Sequence, residues 1–369
     1  MKQHEKIQRE PFIRIVKRDS LSLKKKALVY AIALISGLIF SSILCTIFSK
    51  GNTPISYFEA MFKGAFATPR KIWVLLRDCA LLLGVSLALV PAFKMKFWNL
   101  GGNGQVLIGC LSTIACMYYL GGKLPDAVVI IIMIIASILS GAIWALIPAI
   151  FKALFNTNES LFTLMMNYIA SGLVATFINI WVKGGSGVLY PLKDAHLPTL
   201  VNEYLLTIIV FLILCIAIYI YLKYSKQGYE IAVVGESQNT AKYIGIDVKK
   251  VIIRTLILSG AICGLVGLFI GGAINYTVNT SSANNMGFTG IMTAWLANFN
   301  PLLMLLSCLF ITFISKGMVQ VRKDFKFTND AISNFIVGIV YFFIIACAFF
   351  INYQVVFNFK NKKREEISE

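Results

Sequence analysis

The side chains that could do acid–base, nucleophilic or metal chemistry form no recognisable catalytic pattern. The 369 residues include 17 Asp and Glu and two His. No phosphate-binding Gly-x-x-x-x-Gly-Lys-Ser/Thr loop, Gly-x-Ser-x-Gly turn or His-Glu-x-x-His pair occurs. His196 has no partner at ligand spacing, and the eight cysteines lie in apolar runs without a Cys-x-x-Cys pair. The sequence therefore predicts no catalytic residue, no metal site and no cofactor bound by this chain.

Hydrogen bonding by amides is the polar chemistry that remains within the apolar runs. Phe97 to Gln105 carries amides among glycines, next to a short apolar run from Cys79 to Phe93. This favours a broken helix, which is tolerated at membrane depth only where protein or a water-filled cavity covers it. In transporters such breaks mark the substrate path, although a plain turn between two spans is the alternative. Asn167, in a later apolar run, is first interpreted as an interhelical hydrogen-bond partner.

The composition predicts that these amides belong to an all-α integral membrane protein. Hydrophobic residues make up 58% of the chain and charged residues 14%, against about 25% charged residues in soluble proteins. A crossing needs about 20 apolar residues, so we expect about ten transmembrane segments, with eight to eleven compatible with the pattern. No paired carboxylates lie within the spans, where proton-coupled carriers usually need them.

The charge distribution predicts the domain boundaries and the orientation. Residues 1–26 form a basic arm before the first apolar run, and a basic flank places the N-terminus in the cytoplasm. The net charge of +17 fits contact with anionic membrane lipid better than nucleic-acid binding. We expect the transmembrane domain to extend over residues 27–359 and a cytoplasmic tail over 360–369.

A mixed polar segment, Gly228 to Ile246, lies between long apolar runs and within a predicted cytoplasmic loop, residues 223–250. It contains a Gln-Asn-Thr-Ala-Lys stretch that could form a short helix, and a basic turn follows at Asp247 to Lys250. Connecting two spans needs only a handful of residues, so a loop of this size suggests a docking surface for another protein. An ordinary solvated loop is the alternative.

The region from Thr255 to Ser315 contains no charged residue, so it must include at least two crossings. Small residues from Ser259 to Gly267 are spaced so that helices can approach closely. The run from Gly287 to Ala297 is too short to cross comfortably, like the run beside Gly101 in the first half. Two short, glycine-interrupted segments are consistent with broken or re-entrant helices, an internal structural repeat and a central pathway.

Four stretches, taken in order and spacing, resemble one protein family. Phe97 to Gln105 is similar to Phe-x-Asn-x-Gly-x-Glu-Gly-Gln, and Asn158 to Ala170 to Asn-Glu-x-x-x-Thr-x-Met-x-Asn-Tyr-x-Ala. Gly228 to Ile246 resembles the family's cytoplasmic coupling loop. Gly287 to Pro301 resembles Gly-Phe-x-Gly-Ile-Ala-Val-Ala-Leu-Leu-Gly, which ends in Asn-Pro. The chain thus resembles the permease subunit of bacterial ABC importers of the nucleoside, ribose and branched-chain amino-acid type, and most closely the nucleoside branch.

The chain departs from the family pattern at several positions. Asn103 stands where the first motif has an acid. In the coupling loop, Ala232 stands where the family usually has Arg, Ser237 replaces Asn, and Thr240 replaces the first of two alanines. The last motif differs at Met292, Thr293, Trp295 and Ala297. These departures bear on the ATPase contacts and on the substrate rather than on the transporter class.

The resemblance implies a set of partners. A second related permease, identical or different, would complete the pore in the bacterial cell membrane. Cytoplasmic ABC ATPase subunits would bind ATP and Mg²⁺ and dock on the coupling loop, and an extracellular substrate-binding lipoprotein would deliver substrate. The residues that match the family's coupling loop are Gly228, Gly235, Ala241, Tyr243, Gly245 and Ile246.

The amide and aromatic residues of the matching motifs give a hypothesis for the substrate pathway. Amides could hydrogen-bond a ribose or a base edge, and aromatic rings could stack on a base. The residues assigned to the pathway are Asn99, Gln105, Asn167, Phe288 and Trp295.

Three alternative functions stay open on the sequence. A self-powered secondary carrier or channel would need no ATPase. A membrane-embedded lipid transferase or flippase would need catalytic carboxylates or histidines near the spans, and none are convincing. A ribose, other sugar or branched-chain amino-acid importer is the nearest competitor within the favoured class.

Overall fold

The computed structural model describes residues 13–17, 22–49, 53–182, 187–327 and 330–357. Its elements in chain order are β1 (Ile13–Lys17), α1 (Leu23–Phe48), α2 (Pro54–Phe66), α3 (Pro69–Lys94), α4 (Gly102–Leu120), α5 (Asp126–Phe155), α6 (Glu159–Trp181), α7 (Leu205–Tyr224), α8 (Lys226–Glu236), α9 (Gln238–Tyr243), α10 (Val248–Phe269), a π-helical turn that continues α10 (Ile270–Asn275), α11 (Met286–Leu296), α12 (Pro301–Asp324), α13 (Asp330–Asn352) and β2 (Tyr353–Phe357).

Most of these helices have the length and composition of membrane spans. Within the described residues, seven helices are long and apolar enough to cross a membrane. They cover Leu28–Phe48, Pro69–Lys94, Asp126–Phe155, Glu159–Trp181, Leu205–Tyr224, Val248–Asn275 and Pro301–Asp324. α11, with 11 residues, is too short to cross alone. The predicted all-α multi-pass fold is confirmed, whereas the predicted number of about ten segments stays a prediction.

The described chain divides into two compact units, and residues up to Gly64 together with those from Gly317 form the first. Here α1 packs on α13, with the Phe40 and Phe343 rings 5.7 Å apart. Tyr57 of α2 is fully buried, and its hydroxyl lies 3.5 Å from the Met318 sulfur. Packing of apolar and aromatic side chains therefore holds the helices of this unit together.

The second unit, Ala65 to Lys316, has α10 at its centre, packed against α3, α4 and α5. The predicted close approach of helices at small residues is confirmed here. A Cβ added to Gly264 would lie 2.1 Å from the Ser137 carbonyl oxygen of α5, and one on Gly109 of α4 would lie 2.6 Å from the Gly264 Cα. Only glycine lets these three backbones touch, because any side chain would separate them.

The helix that contains Cys79 to Phe93 is longer than the sequence pattern predicted. This apolar run is the C-terminal part of α3, which has 26 residues and begins at Pro69. The charges that interrupt the pattern compensate one another, since Arg77 lies 2.8 Å from Asp78 and Lys316 pairs with the same carboxylate. Paired charges can lie within a largely apolar helix where single ones would be costly.

The described chain ends with a helix and a short strand within the predicted transmembrane domain, residues 27–359, whose bounds stay a prediction. α13 ends at Asn352, and Tyr353–Phe357 pairs antiparallel with Ile13–Lys17, so that Ile15 faces Val355. β2 is rich in β-branched and aromatic residues, which favour a strand. β1 therefore lies within the predicted basic arm, and the predicted tail at 360–369 lies outside the described residues.

Candidate functional site

The break after α3 is a partly buried connector, residues 95–101, in which the buried Asn99 amide holds the backbone. Asn99 is 0% exposed, and its Oδ1 accepts the Gly101 N–H (3.0 Å) and the Gln105 Nε2 (3.3 Å). Its Nδ2 donates to the Ser259 hydroxyl of α10 (3.1 Å). A backbone that leaves the helix needs such partners when it is buried, because water cannot reach it. Asn99 thus fixes the connector against α10.

α6 supplies the remaining partners of this irregular backbone. Asn167 Oδ1 accepts the Gly104 N–H (2.7 Å), and its Nδ2 donates to the Leu100 carbonyl (2.8 Å). The Thr163 hydroxyl accepts the Leu100 N–H (3.1 Å). The Asn167 amide therefore pairs with a backbone acceptor just before α4 and with a backbone donor in its first turn. The expectation that Asn167 is an interhelical hydrogen-bond partner is confirmed.

The second interrupted segment meets the first directly. α11 begins after Asn284 and Asn285, whose φ values of 43° and 53° turn the chain sharply. A Cβ on Gly102 would lie 3.2 Å from the Gly287 Cα, so the first turns of α4 and α11 are in contact. Asn103 Oδ1 accepts the Gly287 N–H at 2.7 Å. Two helix N-termini, which carry partial positive charge, thus come together at one place.

A cavity of about 260 Å³ lies beside this junction. The residues that line it are Asn103, Leu107, Leu164, Asn167, Tyr168, Ser171, Thr280, Ser281, Ala283, Asn284, Asn285 and Phe288. The lining has amides, hydroxyls and two aromatic rings but no Asp, Glu, Lys, Arg or His. The volume lies just below the roughly 300–1,000 Å³ of typical small-molecule sites. The lining therefore suits a small, uncharged, polar ligand.

The structure separates the residues that the sequence assigned to a substrate pathway. Asn167 and Phe288 line the cavity together, and Phe288 is partly exposed. Asn99 and Gln105 are almost fully buried and are hydrogen-bonded to each other in the connector region, outside the cavity lining. The pathway assignment of all five residues stays a prediction. Trp295 lies outside the cavity lining, with its ring 5.6 Å from that of Trp98.

Most lining residues were not singled out from the sequence. Asn103 and Tyr168 belong to the two motifs that supplied Gln105 and Asn167, so the motifs carried a usable signal. Asn284 and Asn285 lie in the polar break before α11, but the pattern gave no reason to place them against Asn103.

The polar segment between α7 and α10 forms two short helices, α8 and α9, which we call the coupling helices. The short helix predicted around Gln238 to Lys242 is confirmed as α9. Of the six residues assigned to coupling, four are buried or half-buried against the rest of the second unit, namely Gly228, Gly235, Ala241 and Ile246. The other two are exposed. Tyr243 is 90% exposed, and Gly245 has φ +83° with no atom within 4 Å of the position that a Cβ would take.

The coupling helices pack on the end of α3 and so on the connector. A Cβ on Gly235 would lie 2.0 Å from the Lys94 carbonyl oxygen. One apolar cluster joins the two regions, and its buried members are Ala92, Met95, Phe97, Ala149, Ala153, Ile231, Val234, Ala241, Val248, Val251, Ile252 and Leu256. Glu230 of α8 pairs with Arg254 of α10 at 2.8 Å. These contacts make the coupling helices and the connector one packed body.

The predicted basic turn at Asp247 to Lys250 is instead the start of α10. Asp247 caps this helix, because its Oδ1 accepts the Lys250 N–H at 3.2 Å. That hydrogen bond, followed by the Lys250 charge, lowers the pKa of the Asp247 carboxyl below its ordinary value. Only a short turn, residues 244–247, therefore separates α9 from the start of α10.

Comparison with known families gives a match over most of the chain. The family described as "Branched-chain amino acid transport system / permease component" matches residues 72–351. The chain belongs to this permease family. The resemblance read from the motifs is thereby confirmed, and the connector, the junction and the coupling helices are all features of a permease chain.

Individual relatives of this permease are described as ABC transporter permeases. It is 28% identical over 278 residues to the guanosine ABC transporter permease protein NupP of Bacillus subtilis, covering 73% of this chain and 79% of the relative. It is 28% identical over 334 residues to the nucleoside permease NupB of Lactococcus lactis, covering 86% and 88%. The glucose permease TsgB13 of Haloferax volcanii is 25% identical over 299 residues, covering 76% and 77%.

Replacing Asn167 with Leu should destabilise the purified permease. The substitution keeps the side-chain size but leaves the Gly104 N–H and the Leu100 carbonyl unpaired, at about 1–3 kcal/mol for each buried group. We expect a lower thermal unfolding midpoint in detergent. The control is Thr176→Val on the same helix, because the exposed Thr176 hydroxyl bonds only to the Gly172 carbonyl of its own helix. Equal midpoints for both variants would contradict the assignment of Asn167 to the connector.

Proposed function

We propose that this permease is the pore-forming subunit of an ATP-driven ABC importer of nucleosides. The observation that carries the proposal is the uncharged, amide-lined cavity at the junction of the α4 and α11 N-termini. Broken helices whose N-termini meet at a cavity are typical of substrate sites in transporters. Two relatives that are described as guanosine and nucleoside permeases support the same class of cargo.

The chemistry of the cavity favours a nucleoside over an amino acid. A nucleoside is uncharged and carries hydroxyls and base edges that amides and hydroxyls can bind. Phe288 and Tyr168 offer ring faces on which a base could stack. A zwitterionic amino acid would bring an ammonium group into a lining without a carboxylate, and an unpaired buried charge is costly.

The energy source lies in partner subunits. Cytoplasmic ATPase subunits bind ATP and Mg²⁺ and dock on the coupling helices, where Tyr229, Tyr243 and Ile244 are exposed. This chain supplies neither a catalytic group nor a cofactor. A second related permease completes the pore, and an extracellular lipoprotein delivers the nucleoside. The assembly lies in the bacterial cell membrane with the N-terminus of this chain in the cytoplasm, where its basic residues meet anionic lipid.

The packing supports a route for coupling. A force on the coupling helices reaches α3 where Gly235 touches the Lys94 carbonyl. The connector comes next in the chain, and the Asn99 amide joins it to the Gly101 N–H at the start of α4. Asn103, in the first turn of α4, lines the cavity and bonds to the Gly287 N–H of α11. Closure of the ATPases would thus shift the cavity wall and alternate its access between the two sides of the membrane.

Transport by the reconstituted importer tests this function. Proteoliposomes would contain this permease, its permease partner, the ATPase and the binding lipoprotein, and uptake of labelled guanosine would be measured with and without ATP on the ATPase side. We expect ATP-dependent uptake that other nucleosides inhibit and that ribose, glucose and leucine do not. Inhibition by a sugar would assign a sugar importer instead. Uptake without ATP dependence, with the ATPase bound and active, would indicate a secondary carrier.

Replacing Gly245 with Val should abolish uptake while membrane insertion stays intact. A side chain at φ +83° costs about 1–2 kcal/mol, and a Cβ would meet no atom within 4 Å, so the effect acts through the turn between α9 and α10. The matched control is Gly187→Val, at φ +65° with nothing within 4 Å, in the segment between α6 and α7. We expect the control to keep most uptake. Normal uptake by Gly245→Val would make the coupling assignment wrong.

A further inference from the structure

Building on the proposed function, we propose that Asn103 determines the selectivity of the cavity by donating a hydrogen bond to an acceptor atom of the nucleoside. The donor is Asn103 Nδ2, because a hydrogen bond to the Gly287 N–H already occupies the oxygen of this amide.

The orientation of the Asn103 amide follows from its partner. Gly287 contributes a backbone N–H, which can only donate, so the atom that faces it at 2.7 Å must be the Asn103 oxygen. The nitrogen therefore lies at the other end of the amide. Asn103 is 92% buried, lines the cavity, and makes no hydrogen bond through Nδ2 in the part of the chain that the structure describes. A donor in the cavity wall that has no protein partner can bind an acceptor atom of a ligand.

Two other buried amides near the junction, Asn99 and Asn167, are already occupied at both ends. Asn167 uses both ends on the Gly104 N–H and the Leu100 carbonyl, and Asn99 uses both ends on Gly101 and Ser259. Their role is to hold the backbone. Asn103 alone of these three, among the described residues, keeps a donor for a ligand. Its position places that donor where the first turns of α4 and α11 touch.

Asn103→Asp isolates this donor. The aspartate has the same shape, and its oxygen can still accept the Gly287 N–H, while the partial positive charge of two helix N-termini stabilises the carboxylate. The side chain loses its two N–H donors and becomes an acceptor only. The variant therefore changes what the ligand meets and keeps the contact that the fold needs.

We expect Asn103→Asp to raise the KM for ATP-dependent guanosine uptake at least about tenfold, because a donor is replaced by a charge that repels the ligand acceptor. The measurement uses the complete importer in proteoliposomes. Asn202→Asp is the matched control, since Asn202 Oδ1 accepts the Tyr204 and Leu205 N–H groups at the start of α7, outside the cavity lining. The control should keep the unsubstituted KM.

A second variant guards against misfolding. Asn103→Ser removes the amide donors without adding a charge; it should also raise the KM, by a smaller factor. Equal thermal midpoints would show that each variant is folded. An unchanged KM in a folded Asn103→Asp or Asn103→Ser variant overturns this inference and leaves the nucleoside importer standing. Absence of ATP-dependent guanosine uptake by the unsubstituted chain overturns the proposed function and this inference with it.

Discussion

The need to satisfy backbone hydrogen bonds away from water governs the second unit of this permease. A helix satisfies its own backbone, but a connector between two helices does not, and each buried orphan group is costly. The connector after α3 solves this with Asn99, Thr163 and Asn167, which together pair with the backbone of Leu100, Gly101 and Gly104. Asn103 does the same for the start of α11. The cavity lies beside the point where the first turns of α4 and α11 meet.

Close helix contact at glycine is the second constraint, and it makes the unit continuous. Gly264 and Gly109 bring the backbones of α4, α5 and α10 together, and Gly235 brings the coupling helices onto the end of α3. Because interiors are packed densely, movement at one of these contacts must move the next. The coupling helices do not contact the cavity directly. The proposed transport cycle therefore depends on movement that passes between them through these packed contacts.

Much of the architecture could be predicted because it follows from local pattern. Long uncharged runs predicted the spans, small-residue spacing predicted the contact of α10 with its neighbours, and the motif amides predicted a break before Gly102. Such features depend on composition and spacing within a short stretch. The length of α3 was missed because its charges are paired with each other and with Lys316, which is distant in sequence.

The site could be predicted only in part for the same reason. Asn167 and Phe288 were assigned to one pathway and line one cavity, whereas Asn99 and Gln105 hold the connector. An amide that binds a ligand and an amide that binds a backbone look alike in sequence. The difference depends on tertiary partners such as Ser259 and Gly287, which lie 160 and 184 residues away from the amides they meet.

The most direct test of the account is whether nucleotide on the ATPase changes access to the cavity. Ser281 lines the cavity and is exposed, so a Ser281→Cys variant in the complete importer can be labelled with a membrane-impermeant maleimide, with the unsubstituted chain giving the background from native cysteines. We expect the labelling rate to change severalfold between the nucleotide-free importer and one trapped with ATP by a hydrolysis-deficient ATPase. Equal rates in both states, with ATP binding verified, would contradict the link between the coupling helices and the cavity.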